Sequence, residues 1–240
     1  MRITDMNWMQ IEARVSQDDR CVLPIGSTEQ HGVLSLCVDA ILAEQVAADA
    51  AEPLGVPVYP AMSFGCAPYF STFPGEVWLK VETLQAVVRD VIQSFHTSGF
   101  RRVLIVNGHG GNSTIGSLCQ DLMAERPDMS IKFHNWWKAP RTLAKVKEID
   151  PNPSHANWFE NFPWTRLTNV LMPEEEKPMV DLTQLKMVGL AEGRELLGDG
   201  CFGGAYQKDD SDMLELWRIG VEETRKLLEE PWLNPCYDLS

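Results

Sequence analysis

The sequence predicts an α/β protein, a three-layer α/β/α arrangement around a mostly parallel central sheet. Three observations point there. Short apolar, β-branched runs alternate with longer segments of helical character through the first half of the chain. Two of those runs, Val22-Leu23-Pro24-Ile25 and Val103-Leu104-Ile105-Val106, lead into glycine-rich polar turns that precede helix-like segments. One helix-like segment is strongly periodic. Strands separated by helices imply right-handed crossovers, and these place helices on both faces of a parallel sheet.

The strand candidates are residues 21–25, 56–60, 102–106 and 130–133. Between them lie helix candidates at 40–51, 81–97 and 113–125. The second helix is the clearest, because Leu84, Val87, Val88, Val91, Ile92 and Phe95 repeat at the spacing of one buried face. Gly99 then ends it. Residues 140–178 read as an irregular active-site loop. They hold Pro151, Pro153, Pro163, Pro173 and Pro178, yet also Trp158, Phe159, Phe162 and Trp164, too aromatic for a solvated linker. Two helices follow, at about 182–197 and 212–230, joined by a glycine-rich turn at 198–204 that reads as a helix connection. The whole of 1–240 is expected to form a single domain.

Composition narrows the function. Hydrophobic residues make up 44% and charged residues 23%, as in ordinary globular proteins. A net charge of -13 argues against binding nucleic acid or an anionic membrane surface, and an acidic substrate would need a local basic patch that no run of residues displays. No apolar stretch is long enough for a transmembrane helix, and the first residues lack the blocks of a signal peptide. The six cysteines, Cys21, Cys37, Cys66, Cys119, Cys201 and Cys236, are scattered and read as free thiols, so a cytoplasmic location is expected.

The chemistry concentrates in two stretches: Gly26-Ser27-Thr28-Glu29-Gln30-His31-Gly32 with Asp39 downstream, and Asn107-Gly108-His109-Gly110-Gly111-Asn112. In an open α/β sheet, strand-to-helix turns meet at the carboxyl edge, where ligands bind. Glu29, His31, Asp39 and His109 would converge there as two carboxylates and two imidazoles. Such a mixed oxygen and nitrogen set suits Zn²⁺, Mn²⁺ or Fe²⁺, and Asp39 can bridge two ions. The glycines around His109 permit tight turns, and Asn112 or Ser113 can cap the next helix. Trp136, Trp137, Trp158 and Trp164 are candidates to wall a small pocket, and His134 to reach it from a strand end.

These stretches resemble the creatininase family of metal-dependent amidohydrolases. The resemblance extends to Phe73-Pro74-Gly75, to His155-Ala156 with Glu160 five residues on, and to Gly203-Gly204. It implies the three-layer fold, two divalent ions (zinc first, manganese or iron otherwise), hydrolysis of a small amide-type C–N bond by a metal-activated water, and commonly a hexamer. By position, Glu29, Asp39 and His109 would hold one ion, and His31 and Asp39 the other. Creatininases proper have a carboxylate where this chain has Gly111, so the missing ligand would be Glu160, which otherwise serves as base. His155 matches the family's proton-handling histidine. Other positions depart from the pattern: Val33-Leu34 follow His31-Gly32, Glu76 stands where threonine usually follows Phe-Pro-Gly, and Asn157 and Asn161-Phe162 replace family residues. The resemblance therefore implies a retained metal shell and a rewritten substrate surface, with Glu76, Trp136, Trp137, Asn157 and Trp158 as substrate candidates. A peptidase trimming a small peptide and a non-catalytic metal-binding protein are the rival functions.

Overall fold

A computed structural model describes residues 1–232. Its centre is a three-stranded parallel sheet in the order β1 (Arg20–Ile25), β2 (Arg102–Asn107), β3 (Ser130–Asn135). The register aligns Arg20 with Arg102 and Ser130 at one end, and Ile25 with Asn107 and Asn135 at the other. Helices cover both faces. Val22, Leu104 and Val106 pack with α2 (Val38–Ala51) and α8 (Asp210–Glu229). Their neighbours Cys21, Leu23, Ile25, Val103 and Ile105 turn to the other face, against α3 (Val81–Thr97) and α4 (Thr114–Glu125). That alternation is the two-residue period of a strand buried on both sides.

Several boundaries differ from the sequence reading. The expected strand at 56–60 forms only isolated bridges, from Val58 to Val22 and to Arg2. Pro57 and Pro60 flank it and cannot donate to a ladder. Residues 140–178 are not irregular throughout, because α5 (Pro140–Ile149) opens them, with proline at a helix start where its missing N–H costs nothing. The predicted helix at 182–197 is two short ones, α6 (Leu182–Leu185) and α7 (Leu190–Leu197), with Gly189 before the second. The helix α1 (Trp8–Val15) was not anticipated; a reciprocal capping box between Asn7 and Gln10 starts it. On α3 the buried face is Leu84, Val88, Ile92 and Phe95, while Val87 is exposed.

Candidate active site

Glu29 and His31 lie just beyond the carboxyl end of β1, His109 beyond that of β2, and Asp39 in the first turn of α2. Close backbone approach makes this possible: a Cβ on Gly108 would stand 2.1 Å from the Asp39 carbonyl oxygen. All four side chains are buried. Asp39 divides its oxygens. Oδ1 lies 3.1 Å from His31 Nε2, whereas Oδ2 lies 2.9 Å from His109 Nδ1 and accepts from the Ser27 hydroxyl at 2.8 Å. Glu29 Oε1 is 3.2 Å from His109 Nδ1, and Glu160 Oε2 is 3.7 Å from His31 Nε2. Two donor groups result, Glu29–Asp39–His109 and His31–Asp39–Glu160, and they share Asp39. A third, Glu29–His31–His155, overlaps both.

Three histidines each commit one ring nitrogen to a backbone carbonyl. His31 Nδ1 faces the Glu29 carbonyl at 3.0 Å, His109 Nε2 that of Cys66 at 3.0 Å, and His155 Nε2 that of Gln30 at 2.8 Å. A carbonyl only accepts, so those nitrogens of His31 and His109 carry the protons. His155 Nε2 instead sits between an acceptor and a donor, the Gln30 carbonyl and the Gln30 side-chain amide nitrogen, the latter at 2.9 Å. The opposite nitrogens of His31 and His109 are then lone pairs directed at carboxylates, acceptor against acceptor. Only a proton or a metal ion reconciles that arrangement, and backbone-anchored imidazoles are the usual support of metal-ligating histidines. Glu29 Oε2 is buried without a hydrogen-bond partner, as expected of an oxygen kept for a cation. Among the described residues, the ion-pair partners of Glu29, Asp39 and Glu160 are all histidines. The donor chemistry fits a divalent ion.

The protonation balance reflects the same crowding. Burial alone would depress His31, but Asp39, Glu160 and Glu29 push it up to about 10. His109 is likewise raised, against its burial, by hydrogen bonds to Asp39 and Glu29. Burial lifts Glu29, and it lifts Glu160 to about 7 despite the attraction of His31. Burial together with the neighbouring His31 holds His155 down at about 3, so it is neutral.

The site opens into a cavity of about 440 Å³ lined by Glu29, Asp39, His109, His155 and Glu160 and by apolar Phe70, Trp137, Phe159 and Phe202. His155 stacks on Phe70 at 4.9 Å and meets Phe202 at 5.0 Å. The glycine-rich segment 198–204 is therefore more than a helix connection. It delivers Phe202, whose N–H donates to the His155 carbonyl, and Gly200, whose carbonyl accepts from the Gln30 side chain. Ala156 adopts a left-handed φ of 61°, and its N–H donates to Glu160 Oε2 at 2.6 Å.

Other predicted residues lie elsewhere. Trp136 is buried in the core against Trp217 and Phe162, away from the cavity wall. Trp158 is fully buried as well, and Trp164 stacks on Phe162. Asn157, also fully buried, accepts from Phe159 N–H and donates to the Asn152 and Gly203 carbonyls, so it holds the loop rather than facing the cavity. Glu76 is not on the cavity wall; one of its oxygens accepts the Gln30 N–H. Of the substrate candidates, only Trp137 lines the cavity. Asn112 does not cap α4 and neither does Ser113. Asn112 instead ties the two turns together, donating to the Gly26 carbonyl and accepting the Cys66 N–H, each at 3.0 Å. His134 pairs with Thr224 on α8, His96 with Asp128, and Cys37 falls in none of the donor groups. Cys236 lies outside the described residues.

Fold and donor chemistry together define a class: an α/β protein with a carboxylate–imidazole set for divalent ions at the carboxyl edge of its sheet. Within that class the chain belongs to the creatininase family of hydrolases, whose family model, described as creatinine amidohydrolase, matches residues 4–228. It is 35% identical over 203 residues to a creatinine amidohydrolase of Pseudomonas putida, covering 76% of this chain and 75% of the relative. It is 31% identical over 147 residues to a 3-dehydro-scyllo-inosose hydrolase of Thermotoga maritima, covering 60% and 47%. A mycofactocin precursor peptide peptidase of Mycolicibacterium smegmatis matches at 35% over 98 residues, 38% and 39% of the two chains. Among solved structures, a creatinine amidohydrolase (creatininase) superposes with a TM-score of 0.74 at 23% identity, covering 96% of this chain and 97% of that one. A putative creatinine amidohydrolase from Bacteroides fragilis gives 0.75 at 24%, covering 100% and 98%. These structural likenesses show the fold.

Proposed function

We propose that this protein hydrolyses a small amide-type C–N bond, in a cyclic amide, a linear amide or a formamide, with the help of two divalent ions. Glu29, Asp39 and His109 would hold one ion, and His31, Asp39 and Glu160 the other. Zinc is the first candidate, and manganese or iron the alternatives. The observation that carries this reading is the division of Asp39, with Oδ1 toward His31 and Oδ2 toward His109. A divalent ion at such a site lowers the pKa of water toward neutrality and polarises a carbonyl oxygen.

The remaining steps belong to the chain. His155 is neutral, with Nε2 between the Gln30 carbonyl and side-chain amide and Nδ1 3.9 Å from both Glu29 Oε1 and Glu160 Oε2. It takes a proton released by the attacking water, by way of Glu160, and then passes one to the departing nitrogen. The Ala156 N–H fixes one oxygen of Glu160 and so orients that carboxylate as ligand or base. Phe70, Trp137, Phe159 and Phe202 exclude water and favour a small, partly apolar substrate.

The test is metal analysis followed by a panel of lactams, linear amides, formamides and short peptides, with chelated protein as control. We expect up to two ions per chain and chelator-sensitive turnover of a non-peptide amide. Exclusive turnover of peptides would favour the peptidase reading, which the mycofactocin peptidase relative motivates. Metal binding without turnover of any member would leave a binding protein. Creatinine should be a poor substrate, at least a hundredfold below the best one in kcat/KM, or about 2.7 kcal/mol. Gly111 in place of the carboxylate that creatininases proper carry supports that expectation, because it changes the ligand set beside the scissile bond. Glu76, off the cavity wall, acts only through the Gln30 N–H that it accepts. Efficient creatinine hydrolysis defeats it. A homo-oligomer, a hexamer by the family resemblance, completes the reading, and light scattering measures it.

A further inference from the structure

The cavity wall carries one charge of the opposite sign. Lys138, in the turn that follows β3, lines the cavity with Trp137, Leu143 and Phe159, and is the sole lysine or arginine among its lining residues. Its ammonium has no carboxylate within 4.0 Å among the described residues, so it is not paired with Glu29, Asp39 or Glu160 in the same cavity. The acids of the adjoining hollow are already engaged. Glu223 accepts from the Arg141 and Thr142 N–H groups and the Thr142 hydroxyl, and Glu230 pairs with Lys226. Elsewhere Lys177 and Lys208 are paired with Asp199 and Asp150. Lys138 instead is exposed on the surface of its turn, its Nζ over the Trp137 ring at 5.9 Å from the centroid and without a carboxylate partner among the described residues.

An unpaired cation on the wall of an otherwise acidic cavity, in a chain of net charge -13, has a defined chemical complement. From this we propose that Lys138 determines specificity by binding a carboxylate on the substrate, remote from the scissile C–N bond. The substrate class is then the amide or N-acyl derivative of a small organic acid. The inference rests on the hydrolase reading above and deepens it. Two features favour Lys138 as the partner for that charge. Close to Glu29, Asp39 and Glu160 a carboxylate would compete with them, whereas at Lys138 it gains a charge-assisted hydrogen bond. Trp137 and Phe159 line the same cavity and suit an apolar spacer. No basic run in the sequence signals this site, because one lysine is enough once the fold sets it on the wall.

The test uses the metal-loaded full chain and matched pairs that differ only at the far end: succinamate with succinamide, glutaramate with glutaramide, and N-formylglycine with N-formylglycinamide. The measurement is the ratio of kcat/KM within each pair for the wild type, Lys138→Met and Lys138→Arg. We expect the carboxylate member to be favoured at least tenfold in the best pair, largely through KM. Lys138→Met should collapse that ratio to within threefold, Lys138→Arg should retain most of it, and 0.5 M salt should reduce it. A wild-type ratio near one, or equal effects of Lys138→Met on both members, overturns the proposal. If no pair is hydrolysed, the hydrolase reading is what has failed for these amides, and calorimetry with succinate and glutarate decides the Lys138 site. Binding weakened tenfold by Lys138→Met upholds it; no binding, or binding unchanged in the variant, overturns it.

Discussion

Asp39 concentrates the logic of the site in one side chain, because each of its oxygens serves a different histidine while Ser27 steadies one of them. Asp39→Asn keeps the volume and removes one unit of negative charge from the point where two cations would be closest. We expect loss of at least one ion and a fall in turnover of about a thousandfold, ~4 kcal/mol, with an unchanged far-ultraviolet spectrum. Full metal content with near-wild-type turnover would contradict the bridging role. Gly111 bears on the same question from the other side. A Cβ there would stand 2.0 Å from the Cys66 carbonyl oxygen, so this chain has no room for a side chain at the position where creatininases proper carry a carboxylate. Glu160, which joins His31 and Asp39 from another segment, is the replacement proposed above. Glu29, His31, Asp39 and His109 were legible in the sequence because they follow two strand-like runs. Ser27, Phe70 and Phe202 were not, since nothing in their local pattern reports which distant turn they will meet. The tryptophans misled for a related reason: counting aromatics shows that a loop is buried, but Trp136 and Trp158 bury into the core and Trp137 lines the cavity.

At the scale of elements, β3 and α8 meet through a buried pair, His134 Nε2 and the Thr224 hydroxyl, 3.1 Å apart. That hydroxyl donates to the Gly220 carbonyl, so it accepts from the imidazole. Burial holds His134 down at about 4, with Glu223 pulling weakly the other way. The consequence for stability has a definite sign. Between about pH 6.5 and 4 the unfolded chain binds a proton that the folded chain refuses, so stability falls as pH falls through that window. The full effect is up to about 3 kcal/mol. Urea unfolding at pH 7.5 and pH 4.5 should show His134→Gln, which can still donate to Thr224, losing about 2 kcal/mol less than the wild type over that interval. Equal losses in both proteins would show that His134 does not couple these elements to pH. The strands and long helices were legible because their periods of two and of three to four residues are produced by the same burial that the structure displays. Val58 shows the limit. Its neighbours look strand-like, yet Pro57 and Pro60 restrict it to single bridges. Gly189 likewise divides a periodic stretch that would otherwise read as one helix.

The whole molecule holds three carboxylates and three imidazoles together from three separate parts of the chain, residues 29–39, 109 and 155–160. An unfolded chain does not bring those parts together, so an ion that binds here binds the native state almost alone and stabilises it by mass action. With free ion at a thousandfold above its dissociation constant, the gain is about 4 kcal/mol per site. For a chain of this length each kcal/mol moves the midpoint by about 2–4 °C, so one occupied site raises Tm by roughly 10 °C. Without an ion, protons hold the His31 and His109 contacts with Asp39, and both imidazoles keep them well above their ordinary range. Ion binding displaces those protons, so the gain grows as pH rises. Calorimetry of chelated protein, titrated with zinc and then with manganese, measures the shift, and Asp39→Asn serves as the control in which most of it should disappear. The rise should saturate at a defined stoichiometry, which counts the ions without reference to any substrate. A midpoint that chelation and metal leave unmoved would mean that the shared carboxylate group is satisfied by protons alone, and the hydrolytic reading would lose its central support.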